Sequence, residues 1–407
     1  MSARGARGNV GVLAVCQGLF TAAIAVDLTL TGLVGDALTT DKSLATLPFA
    51  LITVAGGVAT LFASFLMAHV GRRWAFAAGA LAGGCGGAIS VGAIVVHSFV
   101  WFCVGTALVG VFQAFAQYYR LAAADSAPEG ESGKAISAVL TGGMVAALLG
   151  PLIAGRSRTL LPGVLFAGSY LVVVALGMLS AALLLVLYRE VGPGAAVDVG
   201  VELERARPLP AVARQPIFIA ATANTVVGNA VMMLIMTAAP LAAVSCGHTI
   251  DDGAGIMQWH LVGMFAPAFV SGWLIDRFGV TAVLLAGTAL SAACTAIAAS
   301  ASDLAHFYAA LLCLGVGWSF MYVGGSVLLV RSATPAERAK AQGLSEFLRY
   351  GVTALSSLLA GPLLQSHGWP AVNFVVLPSL AMSLLVTVWW SMTTRPRRSS
   401  ALLGPER

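Results

Sequence analysis

The chain holds 407 residues, 58% hydrophobic and 10% charged, with a formal net charge of +5. Soluble domains carry about 25% charged residues, so these proportions exclude water as the solvent of the fold. The surplus of base does not describe a nucleic-acid surface either, because Lys and Arg stand in short links between apolar runs and not on one solvated face.

At the N-terminus, Arg4 and Arg7 precede an apolar run over residues 10–34. That run is longer than the core of a cleavable signal, about 7–15 residues, and reads as a retained first span. Lipid offers backbone groups no partner outside helices and closed barrels, and a helix needs about 20 apolar residues to cross it. Twelve such segments follow in order, centred near Ala22, Ala55, Gly83, Gly110, Ala146 and Val174, then Val227, Met264, Leu290, Gly317, Leu355 and Leu380. None shows the short alternating strands of a barrel, so the pattern predicts an all-α membrane protein of two six-helix bundles, residues 1–188 and 216–407. Between them, residues 189–215 are polar, with Glu202, Glu204, Arg205, Arg207, Pro208 and Pro210, and read as a cytoplasmic linker. With both termini placed in the cytoplasm, all 22 Lys and Arg residues except Lys42, Arg156, Arg158 and Arg349 fall on that side, as the positive-inside rule requires.

The two sets of spans are related. Ser64-Phe-Leu-Met-Ala68-His69-Val-Gly71, followed by Arg72-Arg73, recurs 208 positions later as Gly272-Trp-Leu-Ile-Asp276-Arg277-Phe-Gly279. Lys134-Ala135 recurs as Lys340-Ala341 at an offset of 206, and Leu149-Gly150-Pro151-Leu152 as Ala360-Gly361-Pro362-Leu363 at 211. Offsets this constant predict a duplicated unit, with each Gly-ended copy forming a short basic turn between two spans. Cys16, Cys85, Cys103, Cys294 and Cys313 sit inside apolar runs without C-x-x-C spacing and read as small buried hydrophobes, while Cys246 falls in a predicted external loop. The chain lacks a Gly-x-Ser-x-Gly elbow and a phosphate-cradling Gly-x-x-x-x-Gly-Lys-Ser/Thr loop, which argues against an enzyme, a cofactor and direct use of ATP.

Six spans plus six, a central linker and the Gly-x-x-x-Asp-Arg-x-Gly turn after the second span of each half resemble the major facilitator superfamily over nearly the whole chain. In that family the turn, here Gly272, Asp276, Arg277 and Gly279 with the altered copy Gly71, Arg72 and Arg73, helps latch the halves on the cytoplasmic side. The first copy carries Ser64, Ala68 and His69 in place of usual residues and so lacks the acidic member of the turn. Gly150, Pro151 and Gly155 in the fifth span look like the family's Gly-Pro motif of exchangers and exporters, although close helix packing explains the same residues. The Arg frequent in the family's fourth span is absent. Gln258 to Pro267 and Ala341 to Phe347 are similar to a bacterial subgroup whose members include proposed riboflavin importers.

Ionisable side chains inside a bilayer are costly and mark functional candidates. In the resembled fold the first, fourth, seventh and tenth helices line a central cavity. Asp27 in the first span is the candidate proton-coupling carboxyl, unless it is merely hydrated near the outer surface. His260, after Trp259 in the eighth span, suits proton exchange or a structural bond to a backbone carbonyl; it has no second ligand at i+3 or i+4, so no metal site is predicted. Glu346 and Arg349 share a helical face and can neutralise each other, and an Arg349 facing the cavity would favour an anionic solute. Gln113 and Gln117, Asn224 and Asn229, Trp259, and Trp318 with Tyr322 are the expected cavity lining, with helix packing as the competing reading. Arg120 reads as a positive-inside anchor. Amides with aromatics suit a planar heteroaromatic solute better than a small ion.

The sequence thus points to a secondary carrier of the bacterial inner membrane, monomeric and proton-linked, that moves a small organic solute by alternating access. A riboflavin-like importer is the alternative within that class. From another class, the alternative is a non-transporting sensor or scaffold built on a carrier fold.

Overall fold

A computed structural model describes residues 3–128, 131–189 and 207–394, and every regular element among them is helical. The first half comprises α1 (Ala3–Leu38), α2 (Leu47–Val70), α3 (Arg72–Val95), α4 (Phe99–Ala116), α5 (Tyr119–Ser126), α6 (Ser132–Ser157) and α7 (Ala167–Val186). The second comprises α8 (Pro216–Ser245), α9 (Ile250–Phe265), α10 (Ala268–Phe278), α11 (Val280–Ser300), α12 (Leu304–Ser332), α13 (Pro335–Phe374) and α14 (Leu377–Thr394). Among the described residues ten stretches are long and apolar enough to cross a membrane, and α9 with α10, bent by 47°, forms an eleventh. The last stretch, Lys340–Thr393, runs 54 residues, far beyond the roughly 20 that one crossing needs. It holds parts of two helices, α13 and α14, which completes the twelve.

These helices are apolar on all sides, as a bilayer demands. Leu61, Phe62 and Phe65 are more than 60% exposed, which in water would be a liability and in lipid is neutral. Where helices begin at the polar boundary their orphan N–H groups are capped. Thr249 and Asp252 form a reciprocal capping box on α9, Thr334 and Glu337 form another on α13, and Asp303 accepts from His306 N at 3.0 Å on α12.

The duplication extends to backbone detail. The expected basic turns are narrower than the sequence implied: Gly272 to Phe278 are still helical, and the chain reverses at Gly279 alone. Gly71 (φ 84°, ψ 158°) and Gly279 (φ 82°, ψ 154°) share one conformation, each ending one helix and starting the next. Their N–H groups donate to the equivalent carbonyls of Met67 (3.1 Å) and Ile275 (2.9 Å). This region of backbone space is essentially restricted to glycine. The eighth span also departs from one continuous helix, because Pro267 has no N–H to donate and a bend follows.

Within the first half, α1 packs on α6 and α7, α3 on α4 and α7, and α2 on α4; within the second, α8 packs on α12, α13 and α14, and α11 on α12. The crossing of α3 with α4 is repeated by that of α11 with α12. A Cβ on Gly105 would collide with Ser90 Oγ and the Gly86 carbonyl, and one on Gly317 with Ser291 Oγ and the Gly287 carbonyl. The halves meet along α1–α8, α2–α13 and α6–α9, a pattern unchanged when the halves are exchanged. Of the expected linker 189–215, residues 190–206 lie outside the described residues, as do Arg395, Arg397 and Arg398. Its two described ends are fastened. The Asn9 amide exchanges two hydrogen bonds with the Arg189 backbone (2.8 and 3.0 Å), and Arg207 forks onto Glu337 of α13 (2.7 and 2.7 Å).

Candidate functional site

Among the described residues, hydrogen bonds joining the halves run from mid-depth to one end of the bundle. Gln258 Nε2 donates to the Leu148 carbonyl at 3.0 Å, Gly361 N donates to Thr46 Oγ1 at 2.9 Å, and Arg158 grips Asp251 with both terminal nitrogens. We call this the Asp251 end; the Gly71 and Gly279 turns mark the opposite, Arg72 end. Arg72 itself bonds Asp125 at 2.7 Å and Arg73 bonds the Leu185 carbonyl, both inside the first half. Asp276 and Arg277 are exposed.

Below the closed end lies a cavity of about 350 Å³ whose walls come from both halves, within the range of small-molecule sites, about 300–1,000 Å³. It reaches toward the Arg72 end, where exposed Gln117, Arg120 and Leu140 form its rim. Five of the seven residues expected there are present, Gln113, Gln117, Asn229, Trp318 and Tyr322, and Arg349 joins them. Trp318 and Tyr322, one helical turn apart on α12, stack with ring centroids 5.0 Å apart and planes 14° apart. The Arg349 guanidinium stands 4.4 Å from the Tyr350 ring centroid and 6.0 Å from that of Tyr322, within cation–π range. Arg349 Nε donates to Glu346 Oε2 at 3.0 Å, Nη2 contacts the same oxygen, and Nη1 reaches Asn229 Oδ1 at 3.5 Å. The cation in the wall is therefore neutralised from outside the lining by a half-exposed carboxylate.

Other expected residues stand elsewhere, because the rotation of an apolar helix about its axis is set by packing. Asp27 is fully buried against α7: Thr31 Oγ1 donates to its Oδ1 at 3.0 Å and lies 2.9 Å from Tyr170 OH, while Oδ2 has no partner. His260 is buried between α9 and α12 with Nδ1 2.8 Å from the Leu311 carbonyl, which requires the Nδ1–H tautomer. Its Nε2 is unpartnered. Asn224 does not line the cavity; its amide bonds Ala220, Thr387 and Ser383 and fastens α8 to α14. Trp259 does not line it either, being half exposed on the outer face. In α6, Gly150 packs on Ala25 of α1, Pro151 is buried, and Gly155 opens onto Asp251, so this motif brings α6 close to two neighbours.

Sequence reasoning did not single out Gln17, Thr21, Tyr350 or Thr353, nor the methionines Met232, Met233, Met236 and Met264, all of which line the cavity. Thr353 and Tyr350 were within reach, since they follow Arg349 at i+4 and i+1. Arg120, read as an anchor, forms part of the cavity rim. Two buried polar atoms of lining residues, Trp318 Nε1 and Thr353 Oγ1, have no partner. Among the described residues, no group of three or more His, Cys, Asp or Glu side chains is placed to hold a metal.

Known proteins agree with this architecture. A riboflavin transporter, RfnT of Brucella anthropi, is 39% identical over 98% of this chain and 99% of its own. An uncharacterized MFS-type transporter of Bacillus subtilis, YddS, is 26% identical over 91% and 87%. Among solved structures, a bacterial homologue of the human lysosomal transporter Spinster, inward-facing and unoccupied, gives a TM-score of 0.67 at 15% identity over 97% of this chain and 96% of that one. The nucleoside transporter NupG gives 0.67 at 14% identity over 95% and 100%. The family model described as Major Facilitator Superfamily matches residues 10–267 and 253–406. The chain is a multi-pass membrane protein that belongs to the Major Facilitator Superfamily, a family of transporters and not of enzymes.

Proposed function

We propose that the chain is a secondary transporter that carries a flat heteroaromatic solute of the flavin type across the bacterial inner membrane, with the Arg72 end and both termini in the cytoplasm. The observation that carries this reading is the wall of the central cavity, where the stacked Trp318–Tyr322 pair and the charge-balanced Arg349 face a space shared by both halves. Aromatic faces bind planar rings by offset stacking, and a neutralised cation disfavours neither a neutral nor a weakly acidic ring. The riboflavin transporter matched over 98% of the chain supports the same solute class. Closure at the Asp251 end alone describes one endpoint of a rocking cycle about the seam.

Transport is proton-linked in this proposal, and Asp27 is the proton-binding group. Its support is a buried carboxyl with one unpartnered oxygen beside the Thr31 and Tyr170 hydroxyls. Purified protein in liposomes tests the reading: saturable counterflow of labelled riboflavin is expected in riboflavin-loaded liposomes, and net accumulation driven by an imposed pH gradient in empty ones. Absence of counterflow from correctly inserted protein would reject the carrier reading in favour of a sensor or scaffold. Counterflow without gradient-driven accumulation would reject proton linkage alone.

A further inference from the structure

The cavity is chemically two-sided. Its second-half wall holds the aromatic stack, the Arg349 cation and two lining residues, Trp318 and Thr353, whose polar atoms Nε1 and Oγ1 are buried without a partner. Its first-half wall presents uncharged amides inside the Arg120 rim: Gln113 lies over Gly56 of α2, and Gln17 lies over Gly143 of α6 and donates to Thr21 at 3.4 Å. Gln117 stands one turn beyond Gln113 at the rim. Trp318 lies midway along α12, fourteen residues from Leu304 and fourteen from Ser332, so the site is at mid-depth in the bundle.

An indole N–H can only donate, whereas a threonine hydroxyl donates and accepts. Buried groups of this kind left empty-handed are unusual and call for a partner. A ring edge that alternates carbonyl, imide N–H and carbonyl supplies both kinds of partner, and its face suits the Tyr322 side of the stack. Side-chain amides offer a donor and an acceptor on one flexible arm, which matches a chain of hydroxyls and makes no demand for a flat surface.

We propose that the solute lies across the cavity, its heterocyclic edge on Trp318, Thr353 and Arg349, and its hydroxylated tail on Gln17, Gln113 and Gln117. This assignment rests on the flavin-type reading above. The two walls belong to different halves, so a two-ended solute bridges the seam and only such a solute engages both.

The test compares the affinities of the full-length protein for riboflavin and for lumichrome, which keeps the ring edge and lacks the hydroxylated chain. Trp318→Phe and Thr353→Val are expected to weaken both ligands by the same factor, about three- to tenfold each, the worth of one hydrogen bond. Thr353→Ser is expected to retain binding. Gln113→Leu with Gln117→Leu is expected to weaken riboflavin by a similar factor and leave lumichrome unchanged. Loss of lumichrome binding in the glutamine variant, or unchanged lumichrome binding in Trp318→Phe, overturns the assignment while the flavin reading stands. Wild-type protein that binds neither ligand overturns the reading and the assignment together. Gln113→Asn, which keeps an amide, serves if the leucine variant does not fold, and is expected to lose riboflavin affinity selectively.

Discussion

Arg158 and Asp251 meet across the seam between the halves, the Arg158 Nη2 nitrogen 3.0 Å from Asp251 Oδ2 and Nη1 on the other oxygen. Asp251 is largely exposed, so the pair is worth up to about 1 kcal/mol. Removing it is expected to shift the balance between the two closures a few-fold toward the state opened at the Asp251 end. Spin-label distances between positions 42 and 365, which line the pocket at that end, should lengthen in Arg158→Ala. The charge swap Arg158→Asp with Asp251→Arg should restore the original distribution.

The two glycines of the second-half signature should respond oppositely to alanine. Gly279 holds φ 82° and ψ 154°, and a side chain there is expected to cost about 1–3 kcal/mol of backbone strain. Gly272 is helical with open space around its Cβ position, so Gly272→Ala should be neutral or stabilising by about 0.5–1 kcal/mol. Thermal unfolding in detergent separates the two, and equal shifts would contradict the conformational argument.

Asp27→Asn keeps the hydrogen bond from Thr31 and removes the exchangeable proton. Gradient-driven accumulation is expected to fall about tenfold or more, while counterflow, which needs no net proton movement, stays within about twofold. Accumulation at the wild-type level in the variant would dismiss Asp27 as the coupling group.

Arg349→Ala leaves Glu346 without its cation on a membrane helix, and a loss of about 1–3 kcal/mol is expected, less than for a fully buried pair because Glu346 is half exposed. Glu346→Ala added to it should recover part of that stability. Strictly additive losses in the double-mutant cycle would show that the two side chains do not interact.

At the Arg72 end, Glu337 accepts from Arg207 and Thr334, and the Arg207 guanidinium holds its carboxyl well below the usual carboxylate range. The unfolded chain, with a Glu value near about 4.3, takes up this proton first as pH falls. The contribution of Glu337 is therefore complete above about pH 5 and is lost on acidification below that. Stability measured from pH 7 to 3 should fall less steeply in Glu337→Gln than in the wild type, and the variant should already be weaker at pH 7.

The sequence made the twelve spans, the duplication and five cavity residues legible, because span length, repeat offset and i,i+4 spacing are written in residue order. Rotation about each helix axis is not. A span that is apolar all round carries no stripe to say which side faces its neighbours, so Asp27 and Asn224 read as cavity groups while packing turned them toward α7 and α14. Trp259 faced outward for the same reason. The Arg158–Asp251 contact was beyond reach, since a residue capping the end of α6 and one in the first turn of α9, 93 positions apart, share no local pattern.

The anchoring of the linker bears on where mechanical work is done. Eighteen peptide links separate Arg189, clasped by Asn9, from Arg207, clasped by Glu337, and at full stretch they could cover about 60 Å. Each clasp lies wholly within its own half, so neither ties one bundle to the other. Among the described residues, coupling between the halves then passes through the contacts along α1–α8, α2–α13 and α6–α9, and two half-length polypeptides made separately would each keep its own clasp.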